Sequence, residues 1–367
     1  MAKTVQQVLG ADNLCGMIQG VVGGVPDTIL PPSYLTPTRS VEGVVCSYDK
    51  IEGTRQTARR VAAGSPSVRR NTPGLAEVPV SLITTHEHFS HKAQVFLNLR
   101  AEGSEAKQKL GRDTIARQTG QFGRLFRNLR LSTVYSIFAN GAIYFDGDGN
   151  LLPSSTGAVT TVDMKIPTGN TGSLNVEGDG AILSANWSTA GTDIPKQIRN
   201  LKDAALRLTG YPIMHAFYGK NIESYLLGNT LVKALIAGSP RLSEAFASGD
   251  SIPNGLMGLN WHPVSGAFYN DASGTNQTFF DEDACTFTPD ASPEWWEVIE
   301  GSQAIPNGLG ITSNALEALS MIDEATGAFS YAELTTDPVG IKHHGGDTFL
   351  PVAKVPGAMF VATVPAA

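Results

Sequence analysis

Residues 41–48, Val-Glu-Gly-Val-Val-Cys-Ser-Tyr, and residues 78–85, Val-Pro-Val-Ser-Leu-Ile-Thr-Thr, are two β-patterned runs on either side of a polar stretch. That stretch, residues 54–74, carries five arginines and few apolar side chains. A hairpin of two long strands has no core of its own and is marginally stable in water, and its open edges can pair with another chain. We therefore expect this hairpin either to stay disordered or to lie on another surface, often that of a second copy.

Charge is unevenly distributed along the chain. The formal net charge is −7, yet residues 51–130 hold 14 Lys and Arg against six Asp and Glu, a local charge of +8. Residues 251–367 hold two basic against 14 acidic residues, a local charge of −12. This asymmetry suggests contact between opposite parts of neighbouring chains or a face near nucleic acid, although two independently solvated faces would give the same counts.

Composition narrows the class of protein. A chain of 367 residues, 41% hydrophobic, has room for one large domain or two moderate ones. Its 39 glycines and 21 prolines favour a β-containing architecture over a helical bundle. The sequence has no apolar run long enough to span a membrane and no signal peptide at its start. Its three widely spaced cysteines suit a reducing compartment.

Periodicity and turn residues predict the order of elements. A long helix is predicted over residues 104–139, with an apolar stripe in its C-terminal half and four arginines largely off that stripe. Its glycines are expected to interrupt or bend it. Asp193 is the predicted N-cap of a second helix, with Leu208 on its buried face and Gly210 at its end. In sequence order, the prediction is an arm over residues 1–36, the hairpin, a helix over 104–139, a small β-hairpin over 142–152, Thr- and Ser-rich strands and loops over 154–190, a helix from Asp193 to Gly210, a strand over 211–218, a helix over 221–237, and β-rich structure ending in a strand over 358–364.

Histidines give the strongest candidate for a metal or catalytic site. In His86-Glu87-His88-Phe89-Ser90-His91, the first two histidines would share one face of a strand and could meet one zinc ion. The spacing differs from the helical His-Glu-x-x-His of metalloproteases, so a polar strand end is the favoured interpretation. The same interpretation is favoured for His343 and His344, which are predicted to lie in a loop before Gly345 and Gly346.

Two further motifs have structural explanations that are favoured over functional ones. Asp146-Gly-Asp-Gly-Asn150 begins like a calcium loop, but the glycine and glutamate that an EF-hand needs are replaced by Leu151 and Gly157. A tight hairpin turn is the better interpretation. Trp295 and Trp296 could bind a sugar, but an apolar anchor is favoured. Because the sequence also lacks phosphate-cradling, nucleophile-elbow and dinucleotide motifs, we expect no catalytic residue, no metal and no cofactor.

The order of elements resembles the major capsid protein of tailed bacteriophages, of the Hong Kong 97-type fold, and most of all the lambda-type head protein E family. The most specific part is residues 131–145, Leu-Ser-Thr-Val-Tyr-Ser-Ile-Phe-Ala-Asn-Gly-Ala-Ile-Tyr-Phe, which is similar to the family's helix end and following strand. The strand and helices around residues 211–218 and the segment Phe349–Phe360 are also similar to elements of the family. The resemblance covers roughly residues 30–367.

This resemblance implies an α+β capsid fold and divides the chain into five regions. They are an N-terminal arm (1–36), an extended loop or β-hairpin with flanking strands (37–100), a peripheral domain with a long spine helix (101–191), an axial α/β domain (192–335) and a C-terminal return to the peripheral and axial sheets (336–367).

The function implied is that of a structural protein rather than an enzyme. It would assemble with itself as hexamers and pentamers into an icosahedral shell around double-stranded DNA, in the cytoplasm of a host bacterium, and no membrane is involved. The shell would also engage a portal, a decoration or cement protein, and a separate scaffolding protein because the arm is short. The hairpin arginines (Arg55, Arg59, Arg60, Arg69 and Arg70) would contact a neighbour's acidic surface (Asp281, Glu282 and Asp283), and the basic helix face (Arg117, Arg124, Arg127 and Arg130) would face the DNA.

Three alternatives remain open at this point. The first is a compartment shell of the same fold, similar to the encapsulins, which encloses enzymes in place of DNA. The second is a zinc-dependent hydrolase built on His86, His88 and His91. The third is another phage structural protein, such as a tail tube subunit, against which the long helix argues.

Overall fold

The computed structural model describes residues 11–24, 30–52, 74–92, 105–172, 175–176, 180–181, 183, 186–247, 252–264, 266–270, 274–278, 280–306, 322–336 and 339–364. Its helices are α1 Ala11–Gly24, α2 Glu105–Asn140, α3 Ile194–Thr209, α4 Lys220–Gly228, α5 Thr230–Ala237 and α6 Pro240–Ala247. Its strands are β1 Arg39–Val41, β2 Val45–Glu52, β3 Gly74–Ser81, β4 Ile83–Lys92, β5 Ala142–Phe145, β6 Leu151–Leu152, β7 Thr160–Asp163, β8 Thr171–Gly172, β9 Asn175–Val176, β10 Gly180–Ala181, β11 His215–Tyr218, β12 Asn260–Pro263, β13 Ala267–Asn270, β14 Thr275–Thr278, β15 Ala284–Thr288, β16 Trp296–Pro306, β17 Ile322–Thr326, β18 Phe329–Thr336, β19 Val339–Ala353 and β20 Phe360–Thr363.

The chain divides into two compact units, each assembled from three separate segments. The first consists of Met1–Ser47, Pro79–Leu131 and Val298–Pro351, and the second of Tyr48–Val78, Ser132–Glu297 and Val352–Ala367. Residues 298–335, which the sequence prediction gave to the axial region, belong to the first unit by this division. The five predicted domain boundaries remain a proposal.

In the first unit, a sheet with strand order β1-β16-β19-β18 is extended by β17 on β16 and by β4 on β19. The N-terminal helix α1 lies against β18, and Ile18 joins the buried cluster of Phe122, Phe126 and Ala328. A Cβ at Gly123 would lie 2.6 Å from Val21 of α1, so the missing side chain allows the two helices to approach closely.

The long helix α2 confirms the predicted helix over 104–139, but it is continuous through all of its glycines. The expectation that they interrupt it was therefore wrong. A glycine costs roughly 1 kcal/mol in a helix interior, which the buried face of a 36-residue helix can offset. At Gly123 the glycine serves packing against α1.

The second predicted β run is shared between two strands with different partners. β3 pairs with β2 in a two-stranded sheet, whereas β4 joins the six-stranded sheet through β19. The break falls at Leu82, which is buried and whose backbone N–H donates to the carbonyl of Val44 at 2.8 Å. β2 and β3 thus pair with each other as predicted for the hairpin, while the residues predicted to continue the second strand are held in a larger sheet.

In the second unit, a five-stranded sheet has the order β12-β11-β15-β20-β8. The end of α2 packs on this sheet, because the ring of Phe138 lies 4.7 Å from that of Phe217 in β11 and also contacts Trp296 at 5.6 Å (centroid distances). The hydroxyl of Thr286 donates to the carbonyl of Phe138 at 2.6 Å. The small sheet β6-β5-β7 follows α2 directly and confirms the predicted hairpin.

Helix α3 follows its sequence signals closely. The carboxylate of Asp193 accepts from the backbone N–H of Lys196 at 3.0 Å, and Gly210 ends the helix with φ of 82°. Leu208 is 37% exposed, so its predicted place on the buried face was wrong. The buried face consists of Ile194, Ile198, Leu201, Ala204 and Ala205.

The single helix predicted over 221–237 is two helices, α4 and α5. The side chain of Asn229 accepts from the backbone N–H groups of Leu231 and Val232 at 3.0 and 3.1 Å, and therefore acts as the N-cap of α5. Its amide also donates to the carbonyl of Thr192 at 2.7 Å. This buried cap fixes the break, which a hydrophobic pattern alone does not reveal.

Candidate functional site

The arginines of the hairpin lie outside the described residues, so Arg55, Arg59, Arg60, Arg69 and Arg70 remain a sequence prediction. The structure describes the base from which that segment departs, the paired strands β2 and β3. At the start of β2, Val44 and Val45 are 41% and 65% exposed. The start of β2 therefore presents exposed apolar side chains.

The predicted acidic partner surface lies beside the N-terminus of α4. Asp281 and Glu282 are exposed. Asp283 accepts from the Tyr225 hydroxyl at 2.9 Å and from the Asn221 side-chain amide at 3.1 Å, and the first of these bonds raises the pKa of Tyr225. Asp281 and Glu282 accept at longer distances, from the Asp283 backbone N–H at 3.3 Å and from the Asn221 side-chain amide at 3.4 Å. Because they are the exposed members of the three, their carboxylates are the best placed to meet another molecule.

The predicted basic face of α2 is present only in part. Arg117 and Arg124 are exposed, and Arg127 is half-buried. Arg130 is buried, 5% exposed, and cannot face DNA as predicted. Arg130 was predicted to lie off the apolar stripe. It lies close enough to that stripe for its side chain to enter the core.

Arg130 is the centre of a buried ion-pair network in the first unit. Its guanidinium donates from Nε and one terminal nitrogen to the two oxygens of Asp347, at 2.8 and 2.7 Å, and from that terminal nitrogen to Glu300 at 2.7 Å. Its Cζ lies 5.0 Å from the centroid of the Phe349 ring. Burial by itself lowers the pKa of Arg130, but the charges and hydrogen bonds of the two carboxylates outweigh it and raise that pKa. The network joins α2 to β16 and β19.

The two histidine motifs of the sequence meet in the first unit. His343 and His344 lie within β19, so their predicted loop was wrong. The glycines that suggested it have a packing role, because a Cβ at Gly345 would lie 2.8 Å from the Phe122 ring. His344 pairs in register with His88 of β4.

His86, His88 and His344 form an aromatic group with Tyr331. The ring of His344 lies 5.3 Å from that of His86, 5.5 Å from that of His88 and 4.7 Å from that of Tyr331. Nε2 of His344 lies 3.1 Å from Glu333. Burial and the two neighbouring imidazoles lower the pKa of His344, and they outweigh the hydrogen bond and charge of Glu333, which raise it. The described residues contain no group of three or more His, Cys, Asp or Glu side chains able to hold a metal ion.

The remaining motifs have structural roles. The carboxylate of Asp146 accepts from the backbone N–H groups of Asp148 and Asn150 at 2.9 and 2.8 Å and from the Asn150 side chain at 2.9 Å, so this segment is a tight turn between β5 and β6. These bonds lower the pKa of Asp146. Trp295 and Trp296 are buried, as expected of apolar anchors, and the indole of Trp295 donates to the carbonyl of Asp290 at 2.7 Å.

Sequence reasoning missed one polar chain in the second unit. Nδ1 of His215 lies 2.9 Å from Nε2 of His262, and Nε2 of His215 lies 2.5 Å from Oδ1 of Asp290. The three residues come from β11, β12 and the segment after β15. Their spacing of 47 and 75 residues gave no local signal, since only the pairing of β11 with β12 and β15 brings them together.

No described helix is both long and apolar enough to cross a membrane. A family model described as phage major capsid protein E matches residues 17–364. No curated protein sequence matches the chain.

Several solved structures are similar to the chain at low identity. One is a phage-related protein of Bordetella bronchiseptica RB50, with a TM-score of 0.49 and 10% identity over 96% of this chain and 98% of the other. A second is the procapsid of satellite phage P4, with a TM-score of 0.46 and 11% identity over 99% and 91%. A third is the mature capsid of bacteriophage PhiM1, with a TM-score of 0.43 and 11% identity over 94% and 90%.

Proposed function

The chain belongs to the phage major capsid protein E family, and on that premise we propose that it builds the head of a tailed bacteriophage, assembling as hexamers and pentamers into an icosahedral shell around double-stranded DNA. The observation that carries the proposal is the family match, which spans residues 17–364 of a 367-residue chain. It confirms the predicted α+β capsid fold and makes the protein a component of a virion shell. It gives no support to the compartment shell or to the zinc-dependent hydrolase.

The β2–β3 hairpin and its arginine-rich tip act, in this proposal, as the extended loop that reaches a neighbouring subunit. The support is physical: β2 and β3 pair with each other in a two-stranded sheet, which is marginal by itself. Arg55, Arg59, Arg60, Arg69 and Arg70 would meet exposed Asp281 and Glu282 of the next copy. Exposed ion pairs contribute about 0–1 kcal/mol each, so these contacts would set register more than overall stability.

The exposed side of α2 is the proposed contact with packaged DNA. Arg117 and Arg124 are exposed there and Arg127 is half-buried. Arg130 does not take part in this contact, because its guanidinium is held in buried ion pairs. Arginines spaced along a helix bind phosphates without reading sequence, and such binding weakens steeply with salt. The DNA contact would therefore be weak and non-specific.

The finer parts of the proposal go beyond the family match. We place assembly in the cytoplasm of the host bacterium, with a portal, a decoration or cement protein and a separate scaffolding protein as further partners. The protein would act by geometry, with no cofactor and no catalysis. Each protomer would bury large areas against several neighbours, and the sum of these contacts would hold the shell together.

Assembly of the purified chain tests the proposal directly. We expect closed shells or rings of capsomer size by negative-stain electron microscopy when the full chain is expressed alone. Protein cargo without nucleic acid inside particles purified from cells would favour the compartment shell instead. A chain that remains a stable monomer over the concentrations at which capsid proteins assemble would contradict the proposal.

The loop assignment has its own test. Reversing the charges of Arg59 and Arg60 (Arg59→Glu with Arg60→Glu) should leave the protomer folded but impair shell formation, because like charges would then face Asp281 and Glu282. The matched control is Lys196→Glu with Arg199→Glu on α3, an equal change of charge at two exposed positions. Normal shells from the hairpin variant would refute the loop's role while leaving the capsid assignment intact.

A further inference from the structure

The chain His262–His215–Asp290 in the second unit has a property that neither the capsid role nor the family match requires. His215 is 7% exposed and bonded through both ring nitrogens, to His262 at 2.9 Å and to Asp290 at 2.5 Å. His262 is half-buried, and the Asp290 side chain is 70% exposed. Protons from solvent therefore have access to both ends of a chain whose middle member is buried.

The number of protons on the two imidazoles determines whether the hydrogen bond between His215 and His262 can form. A carboxylate only accepts, so Nε2 of His215 carries a proton and donates to Asp290. With both imidazoles neutral, Nε2–H of His262 donates to the bare Nδ1 of His215. With one extra proton, a bond still forms, because one ring donates and the other accepts. With two extra protons, both facing nitrogens carry hydrogen, and no hydrogen bond can form between them.

We propose that this histidine pair is an acid-sensitive latch on the edge strand β12, closed when the pair holds no extra proton or one and open when it holds two. Among the described strands, β12 is at the edge of the five-stranded sheet and is bonded on one side to β11. The latch joins these two strands through their side chains, in addition to the backbone ladder in which Phe217 pairs with His262. Imidazole is the side chain whose ordinary titration falls between pH 5 and 8.

The contacts of the pair come from one carboxylate, one aromatic ring and neutral side chains. Among the described residues, Asp290 supplies the carboxylate that contacts His215. Phe217 is stacked on His262 at 4.9 Å and on His215 at 6.2 Å and is neutral, as is Thr288, which lies opposite His215 in β15. The next acidic side chain along the chain, Glu294, accepts from the hydroxyl of Tyr211 at 3.4 Å. The centroids of the two rings are 5.1 Å apart, so two imidazolium charges held there would repel each other.

Trp261 limits what the open latch can do. It precedes His262, is 3% exposed in the core, and its indole donates to the carbonyl of Leu256 at 2.9 Å. Because successive side chains of a strand point to opposite faces, opening the latch frees the His262 face while Trp261 still holds the other. We therefore expect loosening of β12 and exposure of its edge in acid, with the rest of the unit folded. This holds whether or not the chain forms shells.

Amide hydrogen exchange of the full chain at pH 7.5 and pH 5.0, corrected for intrinsic chemistry, tests the latch. In the wild type, protection of residues 260–264 should fall in acid by about tenfold, the effect of losing one charge-assisted hydrogen bond. In His262→Phe, an aromatic ring keeps the stack on Phe217 but cannot titrate, so the excess loss should vanish. His344→Gln, a control in the other unit, should keep the wild-type response.

An acid response shared equally by the wild type and His262→Phe would overturn the latch, and so would its absence from the wild type. If His262→Phe does not fold, imidazole nitrogen NMR of the wild-type protein decides the question. The latch requires both rings of the pair to become doubly protonated over the pH range in which β12 loses protection. If either ring stays singly protonated at pH 5.0 while protection is lost, the proposal is wrong.

Discussion

Replacing Arg130 by methionine should destabilise the first unit far more than any exposed substitution on the same helix. Methionine keeps an unbranched stem of similar reach and loses the charge. It leaves Asp347, which is fully buried, without the cation that both of its oxygens contact. Removing one partner of a buried ion pair costs about 3–5 kcal/mol, because the other charge stays buried and unpaired. Glu300, whose side chain is 16% exposed, can regain water and adds less.

The pair can be separated from general damage by a double-substitution cycle. Asp347→Leu removes the buried carboxylate, and in combination with Arg130→Met it removes both charges. We expect the double variant to lose less stability than the sum of the single variants, with a coupling of about 2–3 kcal/mol. The assay is urea unfolding of the non-assembled chain, and Arg124→Met, an exposed arginine of the same helix, should stay within about 0.5 kcal/mol of the wild type.

Acid should partly rescue the Arg130→Met variant. Without its cation, the buried carboxylate of Asp347 favours its neutral, protonated form, because burial disfavours the charge. Lowering the pH supplies that proton and removes the cost of the unpaired buried charge. The deficit relative to the wild type should therefore shrink towards pH 4. Additive single variants, or an Arg130→Met variant as stable as Arg124→Met, would refute the reasoning.

Three further perturbations test other parts of the structure. Burial and neighbouring imidazoles lower the pKa of His344, so the unfolded chain takes up its proton first and stability should fall as pH drops below about 6.5. His344→Gln should make the stability in urea unfolding depend less on pH between 7.5 and 5.0, and an unchanged pH dependence would contradict this. Gly123→Ala places a Cβ 2.6 Å from Val21 and should cost about 1–3 kcal/mol by overpacking, whereas Gly120→Ala, with nothing within 4 Å, should stabilise by up to about 1 kcal/mol; equal shifts in their unfolding midpoints would count against the α1–α2 contact. Asn229→Ala removes the cap of α5 and should cost about 1–2 kcal/mol, measured by thermal unfolding with the exposed Asn200→Ala as control, and a matching loss in the control would rule out a specific capping role.

Local signals predicted the elements whose stability depends on neighbours in sequence. The cap, apolar face and end of α3 are written in Asp193, the Ile198–Leu201 periodicity and Gly210, and the structure follows them. The same holds for the Asp146 turn, where the side chain bonds to the backbone two and four residues later. The order of these elements also sufficed to suggest the family, which the match over residues 17–364 confirmed.

Predictions failed where a distant contact overrides the local preference. Gly345 and Gly346 indicated a loop, but the Phe122 ring of α2 lies against the first of them and both stay within β19. Asn229 interrupts a helical pattern because Thr192, 37 residues away, accepts from its amide. Arg130 was assigned to the basic side of α2 because it is charged, yet it lies one turn from buried Phe126 and its guanidinium pairs with the buried carboxylate of Asp347.

The order of predicted elements was enough to indicate the class of protein, because each of those elements depends mainly on neighbours in sequence. Long-range contacts determine which charged groups are exposed to a partner and which are paired within the protein. Arg130 pairs with residues 170 and 217 positions away, and His215 with residues 47 and 75 positions away. The physical reason is that a charge or an imidazole acquires its role from burial and from its contacts, and strand pairing across the whole chain sets both.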